Sequence, residues 1–125
     1  MNAVNQNLAT KAKTSSYHAI KFIMESALHH MQLAANAFDS GNGEQWCKNI
    51  VSAHGQILGL RASLDMSQGS IADNLDSLYE YMQGRLNVAF EEVDVEALAE
   101  VYGLLEQVKE GWDGIEDVLP TAIAV

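Results

Sequence analysis

Basic residues are scarce in this chain: seven lysines and arginines stand against 17 aspartates and glutamates, for a net charge of −10. The deficit is uneven. Through residue 62 five basic residues face three acidic ones, whereas from residue 63 onward Arg85 and Lys109 alone face 14 acidic side chains. That second half would repel a polyanion, which argues against nucleic-acid binding. It serves either as a solubilising surface or as a field that steers a basic partner segment. Proline is nearly absent too, and the single Pro120 leaves the body of the chain free of helix breakers. The lone Cys47 cannot close an internal disulfide and suits a reducing compartment, so a cytoplasmic location is expected. No apolar run approaches the roughly 18 residues of a membrane span, and the opening MNAVNQNLATKAK lacks the apolar core of a signal peptide. Membrane insertion is therefore not expected. No useful β-alternation, convincing internal repeat or low-complexity tract occurs.

What the chain does have is helical periodicity. Ile20, Ile23, Ala27, Met31, Ala34 and Phe38 recur at steps of three and four, which places them on one stripe of an α-helix. Ser15 or Ser16 can cap its start, and Asp39-Ser40-Gly41-Asn42-Gly43 stops it. The same rhythm returns as Trp46, Ile50, Ala53, Ile57, Leu60 and Leu64, then as Ile71, Leu75, Leu78, Met82, Leu86 and Ala89. A fourth stripe is Leu98, Val101, Leu105, Val108, Trp112 and Ile115, with Asp94 as a candidate N-cap. Helices are expected near 16–40, 44–65, 70–90 and 94–114. Stretches of this length, joined by breaks of about five residues, must run antiparallel to their neighbours. The expected fold is all-α, an antiparallel up-down four-helix bundle in a single domain over 1–125. A mobile arm (1–14) precedes the bundle (15–116), and a short apolar tail (117–125) follows it.

Catalytic and metal readings find little support. A di-iron bundle needs paired Glu-x-x-His motifs. Glu25 and His29 are four apart with no second such pair, so no metal or other cofactor is expected. The segment AHGQILG at 53–59 faintly resembles histidine phosphotransfer domains, which present a histidine with a lysine three positions on. Here that position is Ile57, and nothing beside His54 would stabilise a phosphoryl group. Phosphotransfer through His54 is kept as the rival reading. Cys47 reads as a packing residue, and Asp73, Asp76 and Glu80 as a solvated helix edge. No enzyme signature emerges.

The aromatics say more. Tyr79, Tyr81 and Phe90 in or just after the third stretch, and Tyr102 and Trp112 in the fourth, lie at or beside the apolar stripes. Tyr79 lies about 100° around the helix from Leu78, and Tyr81 is displaced the other way from Met82. Each ring would border the stripe, either as a boundary residue of the fold or as a wall of a groove for an amphipathic segment.

Asn74, Leu75, Leu78, Tyr79, Tyr81, Met82, Arg85 and Leu86 fit the spacing N-L-x-x-L-Y-x-Y-M-x-x-R-L. Before them come Gly41-Asn42-Gly43, then Leu60, Ser63, Leu64, Asp65 and Gly69; after them come Gly103-Leu104-Leu105-Glu106 and Trp112. Over about residues 40–113 this pattern resembles the flagellin-export chaperone family FliS. The first helix departs from it, with SSYHAIKFIMES at 15–26 where the family has a form close to S-P-x-x-L-I-x-M-L-Y-D-G, and no tyrosine precedes Tyr17.

The resemblance implies a non-enzymatic cytoplasmic chaperone that holds the disordered C-terminal segment of flagellin and prevents premature polymerisation. The flagellar export gate is a further partner in that picture. A co-chaperone or scaffold of the same fold, and a homodimer through the binding groove, are left open. A ligand that orders on binding needs broad apolar contact. The residues expected to supply it are Ile50, Ile57, Leu60 and Leu64 on the second helix, with Leu75, Leu78, Tyr79, Tyr81 and Met82 on the third.

Overall fold

A computed structural model describes residues 3–115, with side chains from 16 to 114. Four helices follow one another: α1 (Ala3–Asp39), α2 (Gly43–Ala62), α3 (Ser70–Glu92) and α4 (Val95–Ile115), with a short 3-10 turn at Met66–Gln68. Each helix packs on its chain neighbours and α1 closes against α4, so the four form an antiparallel bundle in cyclic order. The apolar tail expected at 117–125 and the side chain of Ile115 lie outside the described residues. The backbone of α1 runs back through most of the segment read as an arm, so Ser15 and Ser16 sit within the helix instead of capping it.

Local chemistry explains each break. At the α1–α2 turn Gly41 adopts φ 73°, Asn42 N–H donates to the Ala37 carbonyl at 2.8 Å, and Gly41 N–H donates to Phe38 at 3.1 Å. This is a Schellman closure, which needs a left-handed residue where Gly41 stands. The Asn42 side chain then accepts from Gln45 N–H at 3.1 Å and caps α2. At the α3–α4 turn Val93 fills the equivalent place with φ 51° and ψ 50°, while Asp94 N–H donates to the Ala89 carbonyl. The Asp94 carboxylate accepts from Glu96 and Ala97 N–H at 3.0 and 3.2 Å, so it caps α4 as its sequence position suggests. Between α2 and α3, Asp65 accepts from the N–H and hydroxyl of Ser67 and from the Gln68 amide. Those bonds hold its carboxyl below the usual range.

The core follows the expected stripes closely in α2, where Trp46, Ile50, Ala53, Ile57 and Leu60 are all buried. It departs from them elsewhere. In α3 the buried row is Ala72, Tyr79, Met82, Leu86 and Ala89, whereas Ile71 is 69% exposed and Leu75 and Leu78 are only half-buried. In α1, Tyr17, Met24 and Ala37 join Ala27, Met31 and Ala34, while Phe38 is exposed. A helix that packs on two neighbours buries a face wider than one stripe. Small residues (Ala27, Ala34, Ala37, Ala53) are buried in α1 and α2 and permit close approach of those helices.

Candidate partner-binding surface

The nine residues expected to bind a partner divide by burial. Ile50, Ile57, Leu60, Tyr79 and Met82 are core residues, each 2% exposed or less. They present almost no surface of their own, Ile50 alone among them reaching the lining of a cleft. Leu64, Leu75 and Leu78 are half-buried against the core, and Tyr81 is 47% exposed. The two tyrosines thus differ in kind. Burial pushes the Tyr79 phenol up to about 12. The Tyr81 hydroxyl donates to Glu100 at 2.5 Å on the outside of the bundle, and that bond raises its pKa.

Glu100 also accepts from Arg85 at 2.8 Å, and hydrogen bonds from Tyr81 and Arg85 depress its carboxyl. These bonds fix the antiparallel register of α3 on α4. Leu75 and Leu78 of α3 and Leu104 and Val108 of α4 are half-buried against the core, and Ile71 is exposed near the start of α3. Ile71, Leu75, Leu78 and Tyr81 thus form a partly open apolar row along α3, with the Glu100 clasp at its Tyr81 end.

A second apolar surface lies on the other flank of α3. Ile50, Val51 and His54 of α2 and Asn87, Phe90 and Glu91 of α3 line a cleft of about 280 Å³. Val51 and Phe90 are exposed there, and Leu58 lies exposed two turns along α2 from Val51. Val51 and Leu58 were not expected, because they fall outside the apolar stripe of α2. Their seven-residue spacing, which repeats one face of a helix, is the signal that was available. Beyond them the α2–α3 seam is sealed by Arg61, which donates to Asp76 at 2.7 Å, Glu80 at 2.6 Å and Gln83 at 3.2 Å. Its bond to Asp76 raises the guanidinium pKa. Asp76 and Glu80, expected as solvated carboxylates, are thus interhelical partners, while Asp73 remains exposed.

His54 borders the cleft with Glu91 as its charged neighbour, and Ile57 is fully buried, so nothing in the cleft would steady a phosphoryl group. His30 is occupied structurally: its single Nδ1–H is shared between the Ser26 carbonyl at 2.9 Å and the Gln56 side-chain oxygen at 3.1 Å. Among the described residues no three His, Cys, Asp or Glu side chains gather as metal ligands would, and no helix is long and apolar enough to cross a membrane.

The bundle and its aromatic third helix agree with comparisons to known proteins. Residues 1–118 match the family model described as flagellar protein FliS. The chain is 38% identical over 114 residues to the flagellar secretion chaperone FliSB of Pseudomonas aeruginosa, covering 88% of this chain and 90% of that one. It is 28% identical over 102 residues to the flagellar secretion chaperone FliS of Vibrio cholerae, covering 81% and 75%. A segment of 58 residues is 47% identical to FliS of Salmonella typhimurium, covering 46% of this chain and 43% of that protein. The chain belongs to the FliS family, whose named members are chaperones and not enzymes.

Proposed function

We propose that this protein is a cytoplasmic flagellin-export chaperone that binds the disordered C-terminal segment of flagellin and keeps it from polymerising. The relatives named flagellar secretion chaperones support a role in flagellar export. The observation that carries the finer reading is the apolar row Ile71, Leu75, Leu78 and Tyr81 on α3, which the bundle leaves partly open instead of burying. A disordered segment gains affinity by folding onto extended apolar surface, so a shallow row about three helical turns long suits it better than one deep pocket. The cleft at Val51, His54 and Phe90, on the opposite flank of α3, extends that surface for a segment that wraps the bundle.

Tyr81 acts as the polar-edged anchor of the row. Its ring offers apolar area, and Glu100 holds its hydroxyl, so little side-chain freedom is lost when a partner packs on it. Leu75 and Leu78 form the floor, and Ile71 extends the row to the end of the helix. The test is titration of a flagellin C-terminal peptide into the parent protein and an Ile71→Asp variant, which leaves the core intact because Ile71 is exposed. Clear weakening with an unchanged denaturation midpoint supports the reading, and unchanged affinity removes the row from the binding site.

A further inference from the structure

The end of the bundle where α1 turns into α2 and α3 into α4 carries a separate site. There Phe38, Trp46 and Val93, with Ala37 and the Gly41–Gly43 turn, line a predominantly apolar pocket of about 210 Å³. Three independent features meet in it. The indole N–H of Trp46 is buried and has no hydrogen-bond partner, an arrangement that costs free energy unless an acceptor arrives. Val93 is held in the left-handed region at φ 51°, where a β-branched residue is strained, and the residue is 55% exposed at the rim. Phe38 is tilted against Trp46 with ring centroids 5.4 Å apart and is itself exposed, so it forms the outer wall over the indole.

The surroundings of the pocket are acidic. Asp39 closes α1, Glu44 opens α2, Glu91 and Glu92 close α3, and Asp94 and Glu96 open α4, against Lys48 on α2 and Arg85 on α3, the latter already paired with Glu100. All of these acids except Asp94 are exposed. An apolar recess with an unmet donor in its wall and carboxylates around its mouth matches one kind of occupant: an apolar side chain on a peptide segment flanked by lysine or arginine, with a backbone carbonyl to accept from Trp46.

We propose that this turn-end pocket is a second protein-binding site, separate from the α3 row, which receives an apolar anchor of a basic segment. Ile71, the outer end of the α3 row, lies at the opposite end of α3 from Val93, so occupancy of one site can be read without the other. Strain at Val93 is consistent with a rim kept for contact at the expense of the turn, since glycine serves the equivalent place at Gly41 without strain.

The test follows the two indole N–H resonances of the isotope-labelled full chain. Trp112 donates to the Tyr17 carbonyl and serves as the internal control. The probe is the capped peptide Lys-Lys-Phe-Leu-Lys-Lys, with Glu-Glu-Phe-Leu-Glu-Glu and Lys-Lys-Ser-Ser-Lys-Lys as comparisons. The expected result is a saturable shift of the Trp46 resonance with the first peptide alone, while Trp112 stays in place. Trp46→Phe keeps an aromatic ring and removes the donor, and Glu91→Lys with Glu92→Lys reverses local charge; each should weaken the apparent affinity by about tenfold, read from the backbone amide of Val93, which both variants retain. Val93→Gly should bind more weakly while folding more stably, a combination that a merely structural role would not produce. An unmoved Trp46 resonance at saturating probe, or an equal response to the acidic peptide, overturns the proposal. So does a Trp46 shift that tracks protein concentration without peptide, which would make a second copy the occupant.

Discussion

The indole of Trp112 lies flat on the ring of Tyr17, with centroids 5.3 Å apart and planes 10° from parallel, and its N–H donates to the Tyr17 carbonyl at 3.1 Å. The pair joins α1 to the last turns of α4 at an end of the bundle where no connecting loop holds those helices together. Lys21 and Lys109 add ion pairs to Asp113 beside it, at 3.6 and 2.7 Å. Trp112→Ala should cost about 2–3 kcal/mol, less than a fully buried aromatic because the indole is only half-buried. Trp112→Phe should retain most of the stacking and lose about 1 kcal/mol with the hydrogen bond. Urea denaturation of both variants measures the difference: no loss in Trp112→Phe would remove the N–H bond from the account, and equal losses in the two would remove the stacking.

Tyr79 and Tyr81 should separate cleanly. Tyr79 is a core residue, so Tyr79→Ala should destabilise the bundle by about 3–5 kcal/mol. Tyr81→Ser removes an exposed ring and one hydrogen bond to Glu100, and should cost about 1 kcal/mol. Denaturation midpoints check both. Comparable losses would place Tyr81 in the fold and not at a surface.

The pH dependence of stability has two limbs. Asp65, Glu100 and Asp113 have folded-state pKa values below their ordinary range, through hydrogen bonds from Ser67, Tyr81 and Lys109 respectively as the largest cause. Their contribution is present above the unfolded carboxylate range and is lost as pH falls through the depressed folded values, below about pH 4. Tyr79 works the other way: its phenol is raised to about 12, so its contribution is intact below about 10 and is lost as pH rises between the two values. Glu100→Gln should flatten the acid limb and Tyr79→Phe the alkaline one. Urea midpoints measured across the pH range would expose an unchanged profile in either variant.

Val93→Gly tests the strained turn on its own terms. Glycine at a left-handed C′ position relieves about 1–2 kcal/mol of strain and loses about 0.5–1 kcal/mol to its more flexible unfolded chain. A net gain of about 0.5–1 kcal/mol is expected, seen as a higher thermal midpoint. A lower midpoint would mean that the Val93 side chain supports the turn.

The fold was legible because most stripes are long and their breaks chemically explicit. The α2 row from Trp46 to Leu60 could be read directly, as could the Asp94 cap. The site was less legible. Ranking side chains by hydrophobicity put Leu78 inside and Tyr79 at the border, yet the buried row rotates toward Ala72 and Tyr79 and leaves Ile71 and Leu78 outward. Periodicity alone does not fix that rotation, because it depends on where α2 and α4 lie around α3. Nor does sequence reveal that Asp76 and Glu80 answer Arg61, since partners 15 and 19 positions apart meet only in the folded bundle. Val93 hid its conformation for a related reason: without a glycine, nothing local marks a left-handed residue.

The most direct test of the central claim is calorimetric titration of a flagellin C-terminal peptide into the parent protein, Ile71→Asp and Tyr81→Ser, paired with a denaturation curve for each. The account predicts cooperative unfolding within about 1 kcal/mol of the parent for both variants, and affinity weakened by about tenfold or more as apolar anchors are lost. Folded variants that bind the peptide as tightly as the parent would contradict it.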